Sequence, residues 1–330
     1  MSARAVIIAT MLAVVIGGRE ASTQAPPSTN IDGLLSSAKV AAGLEWSGTF
    51  LRLCVPPPPP APRAAAAPAR PAGPPPRAAW YAEPAKVADN LYFIGTKVHN
   101  AWALVGSDGI IVIEALFDYA SPDEVGDGFR KLGLDVNTVK YIVLSHAHGD
   151  HDGGARYLQD KMPKARVVYG APDWDAVEKT PNRPGGIPKR DLDGTDGMRL
   201  SVGDASVQIV TMPGHTAGTL SYLFEIKDQG KPLRVAYVGG TAIPFDANAA
   251  YYDTYLASSK KMAKAAADFG ATVLLSNHTE FDNGYYKAET AASRKAGEAN
   301  PFDVGRNAVE RYFTVVDACT TAAKLRAGSK

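Results

Sequence analysis

The chain has 330 residues, enough to bury a large hydrophobic core, and its 45% hydrophobic and 21% charged residues are ordinary proportions for a soluble globular protein. Its formal net charge of +1 gives no electrostatic attraction for nucleic acid or for an anionic membrane surface. These values give no support for a partner that binds through the overall charge of the protein.

The chain begins with an apolar run. Residues 5–18 read AVIIATMLAVVIGG after Arg4, and small and polar residues follow them. This order is typical of a secretory signal peptide, and the run is short for a membrane span. We therefore predict a signal peptide over residues 1–23 and export, to the periplasm, with an uncleaved N-terminal anchor as the alternative.

Two further segments precede the main domain. Residues 24–55 predict a short helical segment, because apolar residues recur with helical spacing between Ile31 and Gly43. Residues 56–79 are mostly proline, alanine, arginine and glycine, a composition that cannot bury apolar surface and predicts an extended linker. We expect the main globular domain over residues 80–330.

Strand and helix patterns alternate through this domain. Period-2 and apolar runs predict strands at 91–95, 101–105, 110–114, 141–144, 167–169, 207–210, 219–225, 234–238 and 272–275. Helical patterns follow at 155–162, 172–179 and 258–269, and residues 121–124 have the cap, proline and acids of a helix start. An amphipathic helix through Val309 and Val316 closes the chain. Two β-rich halves with interleaved helices predict two sheets between helices.

Residues 145–154, SHAHGDHDGG, concentrate the polar chemistry of the chain. They hold three of its six histidines and a carboxylate within six consecutive positions. The strand predicted at 141–144 places this group at a strand's C-terminal end, where α/β proteins carry their sites. Zinc takes imidazole and carboxylate ligands, and short gaps let one loop direct several at one point. A polar surface loop is the alternative, and it requires these histidines to meet there by chance.

Two more histidines follow predicted strands. His215 lies in the turn PGHTAGT between two strands, and His278 lies in SNH after the last strand. Either one alone is better explained as a structural histidine, but with the first group they predict further metal ligands. His99 has no such neighbours in the sequence, and we leave it outside the ligand set as a loop residue near the mouth of the site.

Taken in order, HAHGDHDGG, PGHTAGT and SNH resemble the metallo-β-lactamase superfamily from about Trp80 to the C-terminus. The resemblance implies an α/β (α+β) fold, the αββα sandwich, in which two mixed sheets are flanked by helices and a metal site lies at one edge between them. It also implies two zinc ions, each held by three side chains. The two sets are His146, His148 and His215, and Asp150, His151 and His278.

The stretch GKPLRVAYVGGTA, residues 230–242, bears on the branch of the superfamily. Glyoxalase- and lactonase-type members carry a bridging aspartate there, and other lactamase subclasses carry a cysteine ligand; this chain has neither. GKPLRVAY and the second ligand set resemble the third subclass, B3. That subclass usually has serines after the strand that contact the β-lactam carboxylate. Here the residues are Gly239-Gly240-Thr241-Ala242, and Thr241 is the candidate substitute.

The resemblance implies a di-zinc hydrolase that opens a cyclic amide with a metal-bound hydroxide, as β-lactamases do, with Asp150 as the catalytic residue that orients it. The alternative is a hydrolase of a lactone or another ester or amide. A metal-binding protein without hydrolysis and a di-iron redox protein are hypotheses of a different class, and the missing bridging carboxylate disfavours iron. The expected partner is a small-molecule substrate, with no nucleic acid and no stable membrane partner beyond an N-terminal anchor.

Two further expectations concern residues outside the motifs. The loop 180–198 is rich in proline and glycine, and we expect its mobile part between Thr180 and Pro188, with Tyr251 and Tyr252, to line the substrate cleft; ordinary packing of the two tyrosines is the alternative. Cys54 and Cys319 are the two cysteines. Export predicts a disulfide between them, and a buried thiol on the closing helix is the alternative.

Overall fold

The computed structural model of the protein describes residues 30–58 and 73–328. The predicted signal peptide and most of the predicted linker lie outside these residues. Within the described ranges, we find no helix with both the length and the apolar character needed to cross a membrane.

Seven strands form the first sheet, in the same order as along the chain. They are β1 (Ala85–Lys86), β2 (Leu91–Phe93), β3 (Trp102–Gly106), β4 (Gly109–Ile113), β5 (Val139–Val143), β6 (Arg166–Tyr169) and β7 (Leu192–Asp193). Neighbours from β1 to β4 are antiparallel, and neighbours from β4 to β7 are parallel. The parallel strands therefore end at one edge, and the loops that follow them meet there.

Five strands form the second sheet, again in chain order. They are β8 (Arg199–Val202), β9 (Ala205–Thr211), β10 (Leu220–Asp228), β11 (Lys231–Val238) and β12 (Val273–Ser276). The first four form an antiparallel meander, and β12 joins β11 in parallel. Because β11 and β12 are parallel, the residues after both strands lie side by side.

Ten α-helices surround the sheets in the described part of the chain. They are α1 (Ile31–Ala42), α2 (Ser47–Cys54), α3 (Asp127–Leu132), α4 (Gly149–Asp152), α5 (Ala155–Lys161), α6 (Ala171–Glu178), α7 (Ala249–Phe269), α8 (Thr279–Asp282), α9 (Gly284–Ser293) and α10 (Arg306–Gly328). A π-helical turn, Pro122–Gly126, precedes α3. The first helix begins where the Asn30 side chain accepts a hydrogen bond from the Gly33 N–H, at 2.8 Å.

The core has three parts, and strand alternation assigns each side chain to one of them. Along β11, Val235 and Tyr237 face the space between the two sheets, whereas Ala236 and Val238 belong to the outer core cluster, which includes residues of α1, α7 and α10. The outer face of the first sheet packs against α3, α5 and α6. The layers are therefore helix, sheet, sheet and helix, which confirms the predicted αββα sandwich.

The N-terminal helices pack on the domain rather than standing apart from it. Trp46 is fully buried between α1 and α2, and its indole N–H donates a hydrogen bond of 2.7 Å to the Ala308 carbonyl on α10. A disulfide joins Cys54, at the end of α2, to Cys319 on α10, with Cα atoms 4.7 Å apart. The predicted pairing of the two cysteines is confirmed.

Some elements differ from the sequence predictions. Helix α7 begins at Ala249 rather than near Ser258, because the Asn248 side chain caps it by accepting a hydrogen bond from the Tyr251 N–H. The short strand β8 and the helices α8 and α9 were not predicted, since their residues show only weak periodicity.

Candidate metal centre

All six histidines of the chain meet at one edge of the sandwich. His146 and His148 lie on the loop after β5, and His151 lies on α4 directly beyond it. The other three come from loops distant in sequence: His99 lies between β2 and β3, His215 between β9 and β10, and His278 directly after β12. Strand ends that share one edge thus bring these residues together.

The first predicted ligand set, His146, His148 and His215, forms one cluster. The His215 Nε2 atom lies 3.1 Å from His146 Nε2 and 3.1 Å from His148 Nδ1. Two ligand atoms that each lie about 2.1 Å from a tetrahedral zinc ion are separated by about 3.4 Å. The cluster therefore has the dimensions of a zinc site.

Hydrogen bonds on the far side of the rings fix which nitrogen atoms face the centre of this cluster. The His146 Nδ1–H donates to the Gly239 carbonyl at 2.9 Å, and the His215 Nδ1–H donates to the Ala242 carbonyl at 2.6 Å. In the neutral rings both Nε2 atoms then carry lone pairs, and they face each other at 3.1 Å. A cation between them removes this repulsion, so the donor set fits a metal ion.

The second predicted set, Asp150, His151 and His278, also converges. Asp150 Oδ2 lies 3.2 Å from His151 Nε2 and 3.6 Å from His278 Nε2, and the two Nε2 atoms are 3.0 Å apart. The rings of His146 and His151 have centroids 4.5 Å apart, so the two clusters adjoin. The structure thus places all six predicted residues at one site, and the first group coincides with the predicted ligand set.

His99, which the sequence analysis left outside the ligand set, lies in the second cluster. Its Nε2 atom is 3.5 Å from Asp150 Oδ2, and it forms a group of convergent ligand atoms with Asp150 and His278. Sequence neighbours give no hint of this position. The signal available in the sequence is that His99 also follows a strand, β2, and that the other five histidines are already part of the site.

Burial favours the neutral, metal-binding form of most of these imidazoles. His151 is the exception: burial acts to lower its pKa, but the hydrogen bond and the charge of Asp150 raise the pKa above its ordinary value. Burial lowers the pKa of His146 well below its ordinary value, and it lowers the pKa of His99 and of His215 to about 4. For Asp150, burial opposes ionisation, but the hydrogen bond and the charge of His151 hold the pKa of the carboxyl below its ordinary value. The ionised carboxylate of Asp150 supplies the second cluster with a negative charge that attracts a cation.

A buried carboxylate lies behind His151. Glu114 Oε2 is 3.7 Å from His151 Nδ1, which is longer than a hydrogen bond, and neither atom has a hydrogen-bond partner among the described residues. The other carboxylate oxygen accepts a hydrogen bond of 2.7 Å from the Tyr237 hydroxyl. Glu114 was not singled out in the sequence. It occupies the position from which a carboxylate orients a metal-bound histidine ring.

A cleft of about 1300 Å³ opens beside the clusters. Its wall is mostly apolar and aromatic, and Arg183 in the 180–198 loop is its cationic residue. The Arg183 guanidinium forms an ion pair with the buried carboxylate of Asp152, at the end of α4. The residues that line the cleft include Pro74, Pro75, Trp80, Val98, Phe117 and Tyr119.

The two tyrosines expected in this wall lie elsewhere. Tyr252 is fully buried, with its hydroxyl donating to the Pro244 carbonyl at 2.8 Å, and Tyr251 packs against Tyr255 along α7. The described cleft wall contains neither residue. The prediction that they line the cleft is wrong, and the packing alternative is correct.

The stretch after β11 offers no side chain to the cleft. A Cβ atom on Gly239 would lie 1.9 Å from the Leu220 carbonyl oxygen, and one on Gly240 would lie 2.8 Å from His215 Cβ. Thr241 is buried, and its hydroxyl donates a hydrogen bond of 2.8 Å to the Asn277 side chain. Thr241 therefore does not substitute for a substrate-binding serine, and the backbone packing leaves no room for a bridging carboxylate.

The family model of the metallo-beta-lactamase superfamily matches residues 94–229. Residues 94–229 therefore belong to the metallo-β-lactamase superfamily. Among solved structures, BJP-1, a subclass B3 metallo-β-lactamase of Bradyrhizobium japonicum, is 27% identical with a TM-score of 0.60, covering 72% of this chain and 93% of that one. A point mutant of the metallo-β-lactamase FEZ-1 from Legionella gormanii, 21% identical, has a TM-score of 0.64 over 75% of this chain and 97% of that one, which shows the shared fold.

Curated relatives match part of the chain. A hydroxyacylglutathione hydrolase of Gloeothece citriformis is 33% identical over 112 residues, which cover 34% of this chain and 38% of that protein. The N-acyl homoserine lactonase AttM of Rhizobium johnstonii is 32% identical over 109 residues, 30% of this chain and 41% of that protein. The chain thus spans about two fifths of the length of these relatives.

Proposed function

We propose that this superfamily member is a di-zinc hydrolase that opens a cyclic amide of the β-lactam type. The observation that carries the proposal is the pair of adjoining clusters, His146 with His148 and His215, and Asp150 with His151 and His278, together with the close packing of Gly239 and Gly240, which leaves no room for a further side chain. This arrangement corresponds to the B3-type ligand pattern implied by the sequence motifs. The fold similarity to B3 enzymes over nearly their whole length supports the same branch.

Each of the two clusters would bind one of the two zinc ions. His146, His148 and His215 would hold one zinc ion, and Asp150, His151 and His278 the other. When bound, zinc supplies Lewis-acid activation of water and of the scissile carbonyl. The carbonyls of Gly239 and Ala242 keep the His146 and His215 rings in the required tautomer, and Glu114 keeps the His151 ring in place.

Asp150 has a second proposed role beyond binding the metal. Its carboxylate is 23% exposed, whereas His151 beside it is fully buried, so Asp150 can contact a water molecule at the site. A carboxylate held in the ionised form accepts a hydrogen bond from that water and orients it for attack. The aromatic wall around Trp80, Phe117 and Tyr119 would hold the body of the substrate.

A second candidate, hydrolysis of a lactone or another ester, is favoured by one observation. Because the Thr241 hydroxyl is buried and bonded to Asn277, the stretch after β11 offers no hydroxyl to a substrate carboxylate. A substrate that has no carboxylate does not need this hydroxyl, so its binding is not weakened by the absence of the hydroxyl. The lactonase and the hydroxyacylglutathione hydrolases among the relatives agree with this candidate.

A substrate panel on the zinc-loaded protein separates the candidates. We expect kcat/KM for a cephalosporin such as nitrocefin to exceed kcat/KM for an N-acyl homoserine lactone and for a hydroxyacyl-glutathione thioester by at least about 100-fold. The zinc-free protein is the control and should hydrolyse none of them. A preference for the lactone or the thioester would support the second candidate, and no hydrolysis by protein that holds two zinc ions would reject both.

We also propose that the protein is exported. The support is the Cys54–Cys319 disulfide together with the signal-like sequence of residues 1–23, because structural disulfides persist in oxidising compartments. Cell fractionation of the full chain with N-terminal sequencing of the mature product tests this. Recovery of the chain only from the cytosol, with its first 23 residues intact, would contradict it.

A further inference from the structure

The loop that carries His99 is tied to the loop that carries His278. The Asn100 N–H donates to the Asn277 carbonyl at 2.9 Å, and the Thr279 N–H donates to the Val98 carbonyl at 2.9 Å. His99 and His278 are therefore opposite each other as an antiparallel bridge pair. Side chains opposite each other in such a pair point to the same side, so the backbone alone brings the two imidazoles together.

Further hydrogen bonds make the His99 loop rigid before any ligand binds. The Thr96 hydroxyl accepts from the His99 N–H at 2.8 Å, and the Thr96 N–H donates to the His99 carbonyl at 2.8 Å. The Asn100 side chain, fully buried, donates to the Ser276 carbonyl at 2.9 Å and accepts from the Thr279 hydroxyl at 2.8 Å. His99 is thus held in position by both its neighbours in the sequence and the end of β12.

The side chain of His99 lies where the cleft wall meets the second cluster. It is only 14% exposed, and its ring packs edge-on against Phe117 and, at 5.0 Å between centroids, against His278. The Nε2 atom lies 3.5 Å from Asp150 Oδ2, and Asp150 Oδ2 lies 3.6 Å from His278 Nε2. Both separations match the value of about 3.4 Å for two ligands of one tetrahedral zinc ion.

We propose that His99 is a fourth protein ligand of the second metal ion, beside Asp150, His151 and His278. The inference rests on the proposed di-zinc function. Four protein ligands close a tetrahedral zinc site, whereas three leave a position for water or substrate. The second ion would then be held tightly, and the first ion, on His146, His148 and His215, would keep the open position that faces the substrate.

Variants at position 99 test this through metal binding rather than activity. His99→Phe keeps the ring packing but removes the ligand, and His99→Gln keeps a hydrogen-bond donor toward Asp150 with little affinity for zinc. His99→Asp restores a ligand atom. Val98→Ala, at the exposed neighbouring position, is the matched control. Each protein is equilibrated with a zinc-buffering chelator, zinc per chain is measured, and the visible absorption of the cobalt-substituted form reports the coordination number.

We expect His99→Phe and His99→Gln to lower the affinity for one of the two zinc ions by at least about tenfold and to change the cobalt spectrum. His99→Asp and the Val98→Ala control should keep zinc affinity and a cobalt spectrum close to those of wild type. Gln behaving like wild type in both measurements would overturn the proposal, since His99 would then act as a hydrogen-bond donor only. Equal thermal unfolding of the zinc-free variants and zinc-free wild type shows that the fold is intact. Wild-type protein that binds fewer than two zinc ions would instead reject the di-zinc function itself.

Discussion

The disulfide allows a quantitative test of how the N-terminal helices are held. The double variant Cys54→Ala/Cys319→Ala removes a cross-link between positions separated by 265 residues. For that separation, the loop-closure relation gives a ceiling of about 5.6 kcal/mol at 25 °C, because the cross-link restricts the unfolded chain. Native disulfides contribute about 2–5 kcal/mol in practice, so we expect the free energy of unfolding to fall by about 3–5 kcal/mol.

The folded state should change little. Trp46 keeps its hydrogen bond to Ala308, and the Thr49 hydroxyl keeps its hydrogen bond of 2.7 Å to the Phe281 carbonyl, so α1 and α2 remain docked without the bridge. Both sulfur atoms lie among the helices of the outer layer, away from the histidines. We therefore expect wild-type zinc content in the double variant.

Urea unfolding of the zinc-loaded proteins, followed by circular dichroism, measures the difference. Because the oxidised unfolded chain is more compact, the dependence of the free energy on urea should be steeper for the double variant than for wild type. Wild type treated with a reductant should match the double variant, which separates the cross-link from the lost sulfur packing. A loss below about 1 kcal/mol, or two reactive thiols per chain in unfolded, unreduced wild type, would refute the reasoning.

Two further variants test the charges around the site. Arg183→Met leaves the buried carboxylate of Asp152 without its counter-ion, so chemical denaturation should show a fall of about 3–5 kcal/mol in the free energy of unfolding. The control, Arg166→Met, breaks an ion pair of an arginine that is 52% exposed and should lower that free energy by no more than about 1 kcal/mol. Equal losses in the two variants would contradict the argument from burial. His215→Ala should lower the zinc content from two ions per chain to one and abolish hydrolysis, and elemental analysis that still finds two would refute the first ligand set.

The sequence specified most of the site because the ligands follow buried strands. His146, Asp150 and His151 lie within one short motif, and the strand before it is a plain apolar run, so both the element and the position of the ligands could be predicted. His215 and His278 likewise come directly after strands, at loops whose motifs are short and specific.

What the sequence did not predict depends on contacts between distant segments. His99 joins the second cluster because the backbone of Asn100 is hydrogen-bonded to that of Asn277. No local sequence pattern predicts a pairing between segments so far apart in the chain. The prediction for Tyr251 and Tyr252 was wrong for the opposite reason. They follow the site closely in sequence, but α7 directs their side chains toward the helical layer. Closeness along the chain does not determine which face of a helix a side chain occupies.

Glu124 carries a pH dependence that the metal centre does not explain. The residue lies in the π-helical turn Pro122–Gly126, is fully buried, and accepts a hydrogen bond of 2.8 Å from the Ala82 N–H through Oε1. Its other oxygen has no hydrogen-bond partner within the described ranges. Arg77, the nearby cation, is exposed and paired with Asp123 at 2.6 Å. Burial therefore raises the pKa of Glu124 to about 8.

The sign of the effect follows from proton binding. With a folded pKa of about 8 and an unfolded value of 4.5, the folded state holds the proton more tightly, so this residue stabilises the fold fully below about pH 4.5 and loses that contribution as the pH rises to about 8. The difference of about 3.5 corresponds to a ceiling of about 5 kcal/mol, which local relaxation and water entry reduce to roughly 1–3 kcal/mol.

Glu124→Gln keeps an oxygen for the Ala82 N–H but cannot ionise. Relative to wild type, the zinc-loaded variant should gain roughly 1–3 kcal/mol of stability on going from pH 5 to pH 9, measured by urea unfolding at both values. Glu310→Gln, at an exposed position on α10, is the control, and its free energy of unfolding should differ from that of wild type by the same small amount at both pH values. A Glu124→Gln difference that does not change with pH would mean that the carboxylate is already solvated or ionised throughout this range, and the argument from its burial would fail.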